Sequence, residues 1–256
     1  MPTDVITFAV DAAAPPELAL AAEGLAAGLR DLGRSCEVLV DPWPETLSGR
    51  PTVIDVSSSE AERGRWRLDG GAGPVLELTG PSAPPTAIPF ALPALPARRR
   101  GCARLLVIGA DSPRRSRMLL KLFDALQRRP GCRVIVWRDL SDEVARQKMV
   151  AEVHPEVNAS ELARLLGSVD VLVEVADEAL PEAMLLAGIG RAAGLPIVVP
   201  EGFPGERWPG IVEVREWGGD AFADAALAAA KRARSEDVAA SVRKEAAQRL
   251  VGAIFS

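Results

Sequence analysis

The feature that most constrains the fold is a regular alternation of short apolar runs with longer helical segments. In the first part of the chain, a helix is predicted from Pro15 to about Leu32, and Gly33 ends it. The apolar runs around it predict strands at residues 5–10, 37–40, 52–56 and 74–78. Helices that cross between parallel strands produce this order, so the pattern predicts an α/β domain with a parallel sheet.

A proline-rich stretch interrupts the alternation between residues 79 and 101. It contains six prolines and ends on Arg98-Arg99-Arg100-Gly101. Proline fixes φ and lacks a backbone donor, which excludes a helix or a central strand here. The stretch therefore predicts a boundary between a short Rossmann-like domain over residues 1–97 and a second domain over residues 98–256.

The alternation resumes after this stretch and continues to the end of the chain. Strands are predicted at residues 104–108, 133–137, 170–175, 195–199 and 211–214. Helices are predicted at residues 114–128, 161–166, 182–193, 221–232 and 238–254, with Ser160 as the cap of the second. Two such blocks predict an α/β fold of two Rossmann-like domains, with parallel sheets that face a central cleft. Ligands of open parallel sheets bind at the carboxyl ends of the strands, so the cleft is the predicted site.

Charge and cysteine content exclude several classes of function. The net charge is −5, so no broad nucleic-acid-binding face is expected. The three cysteines are widely spaced and His154 is the only histidine, so neither a disulfide framework nor a Cys/His zinc site is predicted. No metal and no organic cofactor are predicted. His154 is expected in an exposed loop, and the alternative is a catalytic base.

The location of the protein is predicted from two further absences in the sequence. The N-terminus has neither the basic segment nor the apolar segment of a signal peptide. No apolar run approaches the roughly 20 residues of a membrane-spanning helix. We therefore expect a cytoplasmic protein without a membrane span.

Four stretches of the second part carry a family resemblance. They are residues 105–109 followed by 112–115, residues 161–166 leading into 169–173, the segment AAGLPIVV at 192–199, and residues 242–255. In this order they resemble the C-terminal domain of GT-B-fold glycosyltransferases, the retaining enzymes that use nucleotide sugars. The resemblance implies transfer of a sugar from a nucleotide-diphosphate donor to an acceptor, with the nucleotide sugar as the small-molecule partner.

One departure from the family pattern concerns the donor site. Active members place a pair of glutamates at a fixed short spacing, and the second of them falls here on Ile189. The family glutamates accept hydrogen bonds from donor hydroxyls, which an isoleucine cannot do. The chain is therefore interpreted as a reduced or divergent relative. Two alternatives stay open: a glycosyltransferase, or a non-catalytic binding or scaffolding subunit, that is, a pseudoenzyme.

Two further observations bear on these alternatives. Tryptophans in predicted loops favour the scaffolding subunit, because aromatic side chains anchor interfaces with another protein or a second copy. They are Trp43, Trp66, Trp208 and Trp217. A third alternative, an enzyme like the nucleoside deoxyribosyltransferases, would place its catalytic glutamate on Leu186.

Candidate donor-binding residues follow the strands of the second part. Gly109 forms the turn after the first of them, and Arg114 and Arg115 open the next helix, where they would pair with a nucleotide diphosphate. The alternative for the arginines is a solvated basic turn. Glu178 and Glu182 follow the strand that ends near residue 175, and the alternative for them is a helix-terminal carboxylate that suits the helix dipole.

Two further candidates lie at the ends of other predicted strands. Gly202 belongs to a glycine-rich loop after the strand at 195–199 and would face the donor, unless the loop is an ordinary turn. Asp11 follows the first strand of the chain and is the candidate base on the acceptor side. The competing interpretation of Asp11 is a carboxylate that caps a turn.

Overall fold

The computed structural model describes residues 5–48, 50, 52–56, 65–68, 75–77, 88–96, 101–108, 113–138, 151–176, 181–203 and 208–255. The chain divides into two compact units. The first comprises residues 1–95, 158–163 and 237–256, and the second comprises residues 96–157 and 164–236. The first unit therefore draws on both ends of the chain.

The secondary structure alternates as the sequence predicts. The strands are β1 (Ile6–Val10), β2 (Cys36–Val40), β3 (Thr52–Val56), β4 (Arg65–Leu68), β5 (Val75–Glu77), β6 (Ala103–Ile108), β7 (Cys132–Trp137), β8 (Ala151–His154), β9 (Val171–Val173), β10 (Ile197–Pro200) and β11 (Ile211–Val214). The helices are α1 (Pro16–Asp31), α2 (Pro44–Leu47), α3 (Pro113–Gln127), α4 (Ala159–Ser168), α5 (Pro181–Ala193), α6 (Gly219–Ala229) and α7 (Glu236–Phe255). No helix in the described ranges is long and apolar enough to cross a membrane.

The first unit contains a mixed sheet in the order β2-β1-β3-β4-β5. Strand β1 is parallel to β2 and β3, but β4 runs antiparallel to both of its neighbours. The prediction of a parallel sheet is therefore right for three strands and wrong for the outer two. Eight residues separate β3 from β4 and six separate β4 from β5. Connections this short cannot hold a helical crossover of a dozen residues or more, so the chain reverses direction instead.

The prediction also missed strand β4 itself, and with it the position of Trp66. Trp66 lies within β4 rather than in a loop. The segment RWRL alternates cationic and apolar residues over only four positions, which gives a weak periodic signal.

Close helix packing in the first unit depends on two glycines of α1. A Cβ atom at Gly24 would lie 2.5 Å from the backbone carbon of Ala91, and one at Gly28 would lie 2.7 Å from the carbonyl oxygen of Arg243 in α7. Helix α1 ends at Gly33 as predicted, at φ +73°. The amides of Gly33 and Arg34 donate to the carbonyls of Arg30 and Leu29, which is a Schellman cap.

The second unit contains a fully parallel sheet in the order β11-β10-β9-β6-β7-β8. Counted from β6, this is 6-5-4-1-2-3, the strand order of the doubly wound dinucleotide-binding folds. The direction of winding changes between β6 and β9, so their carboxyl ends form the topological switch point of the sheet. The prediction of a parallel sheet is confirmed here.

Two local predictions for the second half of the chain were wrong. His154 ends strand β8 instead of lying in a loop, and its Nε2 lies 3.0 Å from Oε1 of Glu152. The cap of α4 is Asn158 and not Ser160. Asn158 Oδ1 accepts the Glu161 amide at 2.9 Å, and Glu161 Oε2 accepts the Asn158 amide at 3.0 Å. This reciprocal pair is a capping box, which the glutamate three positions after Asn158 indicates better than the hydroxyl of Ser160 does.

Helices α3 and α6 pack against each other over one face of the second sheet. The apolar residues of α3 that the sequence places on one face are buried in this core: Met118, Leu119, Leu122, Phe123 and Leu126. Gly219 opens α6, and a Cβ atom there would lie 2.1 Å from the carbonyl oxygen of Lys121. A glycine is therefore required for the two helix backbones to approach this closely.

Candidate functional site

The switch point of the second sheet contains a buried ion pair. Glu174 directly follows β9, and Arg115 lies in the first turn of α3, close behind β6. Arg115 Nη2 donates to Glu174 Oε2 at 2.7 Å, and the side chains are 2% and 0% exposed. Glu174 Oε1 also accepts the amide of Ala176 at 2.7 Å. The pair therefore ties the start of α3 to the carboxyl end of the neighbouring strand.

The energetics of this pair follow from its burial. Removing one partner of a buried pair leaves a charge without compensation, which costs about 3–5 kcal/mol. The pair also keeps a positive and a negative charge fixed at the place where a doubly wound sheet binds its ligand. Both the stability of the unit and the electrostatics of the switch point depend on it.

Glu174 is the residue of this site that the sequence analysis missed. It lies within an apolar segment, residues 171–176, of which every member is buried. A single charge in such a segment requires a buried partner. The signal was therefore present in the sequence, although it does not identify Arg115 as the partner.

Arg114 occupies a different environment from its neighbour Arg115. Arg114 is exposed, and its guanidinium carbon lies 5.6 Å from the centre of the Trp217 ring. It lines a pocket of about 320 Å³ on the outer side of α3, which we call the outer pocket. The described residues that line the outer pocket are Arg114, Arg117, Met118, Leu120, Lys121 and Trp217. The two arginines predicted to bind one diphosphate are thus about 100° apart around the helix axis, one exposed and the other buried.

Gly202 lies in a tight turn after β10. Its φ is +78°, and its amide donates to Glu213 Oε1 at 3.1 Å. The next residue, Phe203, is buried and anchors the turn. Only glycine adopts this backbone geometry readily, which accounts for Gly202 without a ligand. Its predicted contact with the donor stays a prediction.

For three other predicted donor-binding residues, the structure describes either nothing or the backbone alone. Gly109 and Glu178 lie outside the described residues. Glu182 lies in the first turn of α5, and its side chain lies outside the described part. Their roles stay predictions.

Asp11 lies at the carboxyl end of β1 in the first unit and is exposed. Its Oδ1 accepts the amide of Ala13 at 2.8 Å, so it caps the turn that leads into α1. Asp41 assists from the end of β2, where its Oδ1 accepts the amide of Ala12 at 2.7 Å. The geometry thus shows the turn function of Asp11, while its role as a base stays a prediction.

The position of Ile189 agrees with its apolar character. Its side chain is 0% exposed within α5. The adjacent Gly190 packs on the sheet, where a Cβ atom would lie 3.1 Å from Cδ1 of Leu172. The position at which the family resemblance places a donor-binding carboxylate is therefore part of the apolar core in this protein.

Comparison with known proteins gives a likeness in fold. No family model matches the chain, and no curated protein matches its sequence significantly. One similar solved structure is HepE of Anabaena in complex with UDP and glucose, with TM-score 0.46, 11% identity and coverage of 95% of this chain and 94% of that chain. A protein of Listeria monocytogenes, provisionally described as a UDP-N-acetylglucosamine 2-epimerase, has TM-score 0.49, 10% identity and coverages of 99% and 96%. The spinosyn rhamnosyltransferase SpnG has TM-score 0.40, 11% identity and coverages of 96% and 96%. Identities this low say nothing of ligand or activity, which must be argued from this chain's own residues.

Proposed function

We propose that this protein binds a nucleotide-diphosphate sugar at the switch point of the second sheet and acts as a glycosyltransferase on an acceptor that is not yet identified. The observation that supports the proposal is the strand order of that sheet, with Arg115 and Glu174 fixed at the carboxyl ends of β6 and β9. Sheets of this order bind nucleotides in the crevice at this point.

The proposed donor site combines three sources of affinity for phosphate. The first turn of α3 offers backbone amides and the positive end of the helix dipole. Arg115 adds a guanidinium that Glu174 orients. In the sequence, Gly109 follows β6 and Gly202 follows β10, and these strands lie on either side of β9. The absence of a side chain at a glycine allows the diphosphate to approach the backbone.

In the proposed reaction, an acceptor hydroxyl attacks the anomeric carbon of the sugar and the bond to the diphosphate oxygen breaks. The leaving diphosphate takes the bonding electrons, so its negative charge increases in the transition state. The helix terminus and Arg115 would stabilise that charge. Asp11 is the candidate base that accepts the proton of the hydroxyl, because it is exposed and follows a parallel strand.

A non-catalytic binding or scaffolding subunit of a larger complex is the second candidate. The burial of Ile189 supports it, since an isoleucine in the core supplies no oxygen to the donor hydroxyls. The turn contact of Asp11 supports it as well, because one carboxylate oxygen already accepts a backbone amide. In this case the partner is another protein or a second copy of the chain.

Thermal unfolding with nucleoside diphosphates tests binding. A ligand at one hundred times its Kd raises the free energy of unfolding by about 2.7 kcal/mol, so UDP or GDP is expected to raise Tm measurably. Inorganic phosphate at the same concentration is the control for a general ionic effect. If no nucleoside diphosphate raises Tm at millimolar concentration, the glycosyltransferase proposal is overturned and the scaffolding subunit is favoured.

Release of nucleoside diphosphate from a nucleotide sugar separates the two candidates. The glycosyltransferase releases it in the presence of the acceptor, and Asp11→Asn lowers this rate while nucleotide binding is preserved. Asn at position 11 retains an oxygen that can accept the Ala13 amide, so the turn is kept. Binding without release in the presence of a broad acceptor panel supports the non-catalytic subunit instead.

A further inference from the structure

We propose that the outer pocket is a second ligand site, which binds a phosphate ester with an apolar organic group. It lies on the exposed side of α3 and is separate from the switch point, where Arg115 and Glu174 are buried. The proposal goes beyond the proposed function, because it stands whether or not a nucleotide binds at the switch point.

The cations of the outer pocket form a row on one face of a helix. Arg114, Arg117 and Lys121 are three and four positions apart, so their side chains lie above one another on α3. All three are exposed. The seven steps from Arg114 to Lys121 span about 10 Å along the axis, because each residue of a helix rises about 1.5 Å. A row of this length matches a small phosphorylated molecule.

Among the described residues, two cations of this row, Arg117 and Lys121, lack the carboxylate partners that cations at the other end of α3 have. There, Arg129 bonds to Asp220 and Asp224 at 2.8 Å each, and Arg128 pairs with Asp124 and Asp220. Among the described residues, by contrast, no carboxylate lies within 4.0 Å of Arg117 or Lys121. An anion in the pocket would relieve the repulsion between these cations.

The position of the row at the start of α3 adds an unfavourable interaction with the helix dipole. Arg114 lies in the first turn of α3, where an exposed cation opposes the helix dipole at a cost of about 0.3–1 kcal/mol. The whole chain carries a net charge of −5, so the positive row is a local feature and not a consequence of composition. Both points favour a bound anion rather than a merely solvated surface.

The remaining lining of the pocket indicates what accompanies the phosphate. Met118 and Leu120 provide apolar surface, and Trp217 lies across the pocket with an exposed fraction of 37%. The Arg114 guanidinium carbon lies 5.6 Å from the centre of the indole ring, which places a planar cation beside the apolar part of the pocket. The volume of about 320 Å³ is at the lower end of small-molecule sites. The pocket therefore fits a compact phosphate ester better than a free ion.

The indole N–H resonance of Trp217 in an NMR spectrum tests this site directly. The chain has five tryptophans, and the Trp217→Phe variant assigns the signal. Phenyl phosphate is the probe. Inorganic phosphate represents the charged part of this probe and benzyl alcohol the apolar part, so each part is tested separately. A saturable shift with phenyl phosphate is expected, with affinity about tenfold higher than for either half alone, because both sets of contacts are then made.

Matched variants on the same helix show whether the row of cations is responsible. Arg117→Gln and Lys121→Gln are each expected to weaken the binding of phenyl phosphate about tenfold, since each removes one charged contact. Arg128→Gln is the control, because it removes the same charge from the turn directly after α3, where Asp124 and Asp220 balance it. Equal weakening by Arg128→Gln would mean a general charge effect and would overturn the proposal, as would the absence of any saturable shift.

The titration is repeated with UDP at saturating concentration to separate this site from the nucleotide site. The proposal expects the same affinity for phenyl phosphate with and without UDP. Displacement of the probe by UDP would show that the outer pocket is the nucleotide site itself and would overturn the claim of a second site. If UDP does not bind at all, only the proposed function fails, and the phenyl phosphate result still decides the outer pocket.

Discussion

The two faces of helix α3 place the same kind of residue in opposite situations. On the inner face, Arg115 is 2% exposed and bonds to the buried Glu174. On the outer face, Arg114 is exposed and lies over Trp217 beside two further cations. Neighbouring arginines in one short basic segment thus serve different purposes. A basic cluster at a helix start must therefore be divided by helix face before a ligand is assigned to it.

The largest loss of stability is expected from a substitution on the inner face of α3. Arg115→Met leaves the Glu174 carboxylate buried without its cation, so a loss of about 3–5 kcal/mol in the free energy of unfolding is expected. Arg114→Met on the outer face is the matched control. It removes an exposed cation–π contact with Trp217, worth about 0.5–1 kcal/mol, and leaves no buried charge behind. Urea unfolding of both variants measures the difference, and similar losses would refute the distinction between the faces.

A double variant shows whether the loss of stability comes from the uncompensated charge of Glu174. Arg115→Met combined with Glu174→Leu replaces the whole pair by apolar side chains, which removes the uncompensated charge. Stability is expected to recover by most of the loss seen in Arg115→Met. A double variant less stable than Arg115→Met would mean that Glu174 contributes mainly through the Ala176 amide and not through the pair.

The next largest effect concerns the contact that holds α6 against the middle of α3. Gly219→Ala places a Cβ atom 2.1 Å from the Lys121 carbonyl oxygen, so the helices must move apart. Overpacking of this kind costs about 1–3 kcal/mol. Gly252→Ala is the control, because nothing lies within 4 Å of a Cβ atom there and alanine favours the helix by about 1 kcal/mol. Thermal unfolding should shift Tm in opposite directions, and a neutral Gly219→Ala would contradict the packing.

The smallest effect is a pH dependence at the balanced end of α3. Hydrogen bonds from Arg129 and Arg128 hold the pKa of Asp220 below its ordinary value of 3.8. A carboxyl group with a lowered pKa stabilises the fold above its unfolded pKa, and this contribution is lost as the pH falls through the folded pKa. Asp220→Asn should therefore be less stable than the natural protein at neutral pH. The difference should shrink as the pH falls below about 3.8.

The measurement for this prediction is urea unfolding of both proteins across the acid range. Lys121→Gln on the outer face serves as the control, since no described carboxylate pairs with that lysine. Its stability relative to the natural protein should show no such convergence at acid pH. A constant difference between Asp220→Asn and the natural protein at every pH would contradict the role of the carboxylate.

Much of the second unit could be predicted from the sequence because its signals are periodic. The parallel strands are continuous apolar runs, and α3 shows its buried face at helical spacing. That spacing also contains Arg115, which precedes Met118, Leu119 and Leu122 by three, four and seven positions. Its burial could therefore have been inferred from the same pattern that located the core.

Other features depend on contacts that no local pattern reveals. The antiparallel strands β4 and β5 are short, and their direction follows from connection lengths rather than from periodicity. Trp217 joins the outer pocket because α6 packs on α3, a tertiary contact between residues far apart in the chain. The pairing of Glu174 with Arg115 likewise spans two elements that only the strand order brings together.

A crystal structure with a bound nucleoside diphosphate tests the proposed function most directly. We expect the diphosphate to lie at the switch point, against the first turn of α3 and the segment Glu174–Ala176. In that position its oxygens would accept hydrogen bonds from backbone amides at the start of α3. A diphosphate bound elsewhere, with the Arg115–Glu174 pair remote from every ligand atom, would contradict the account.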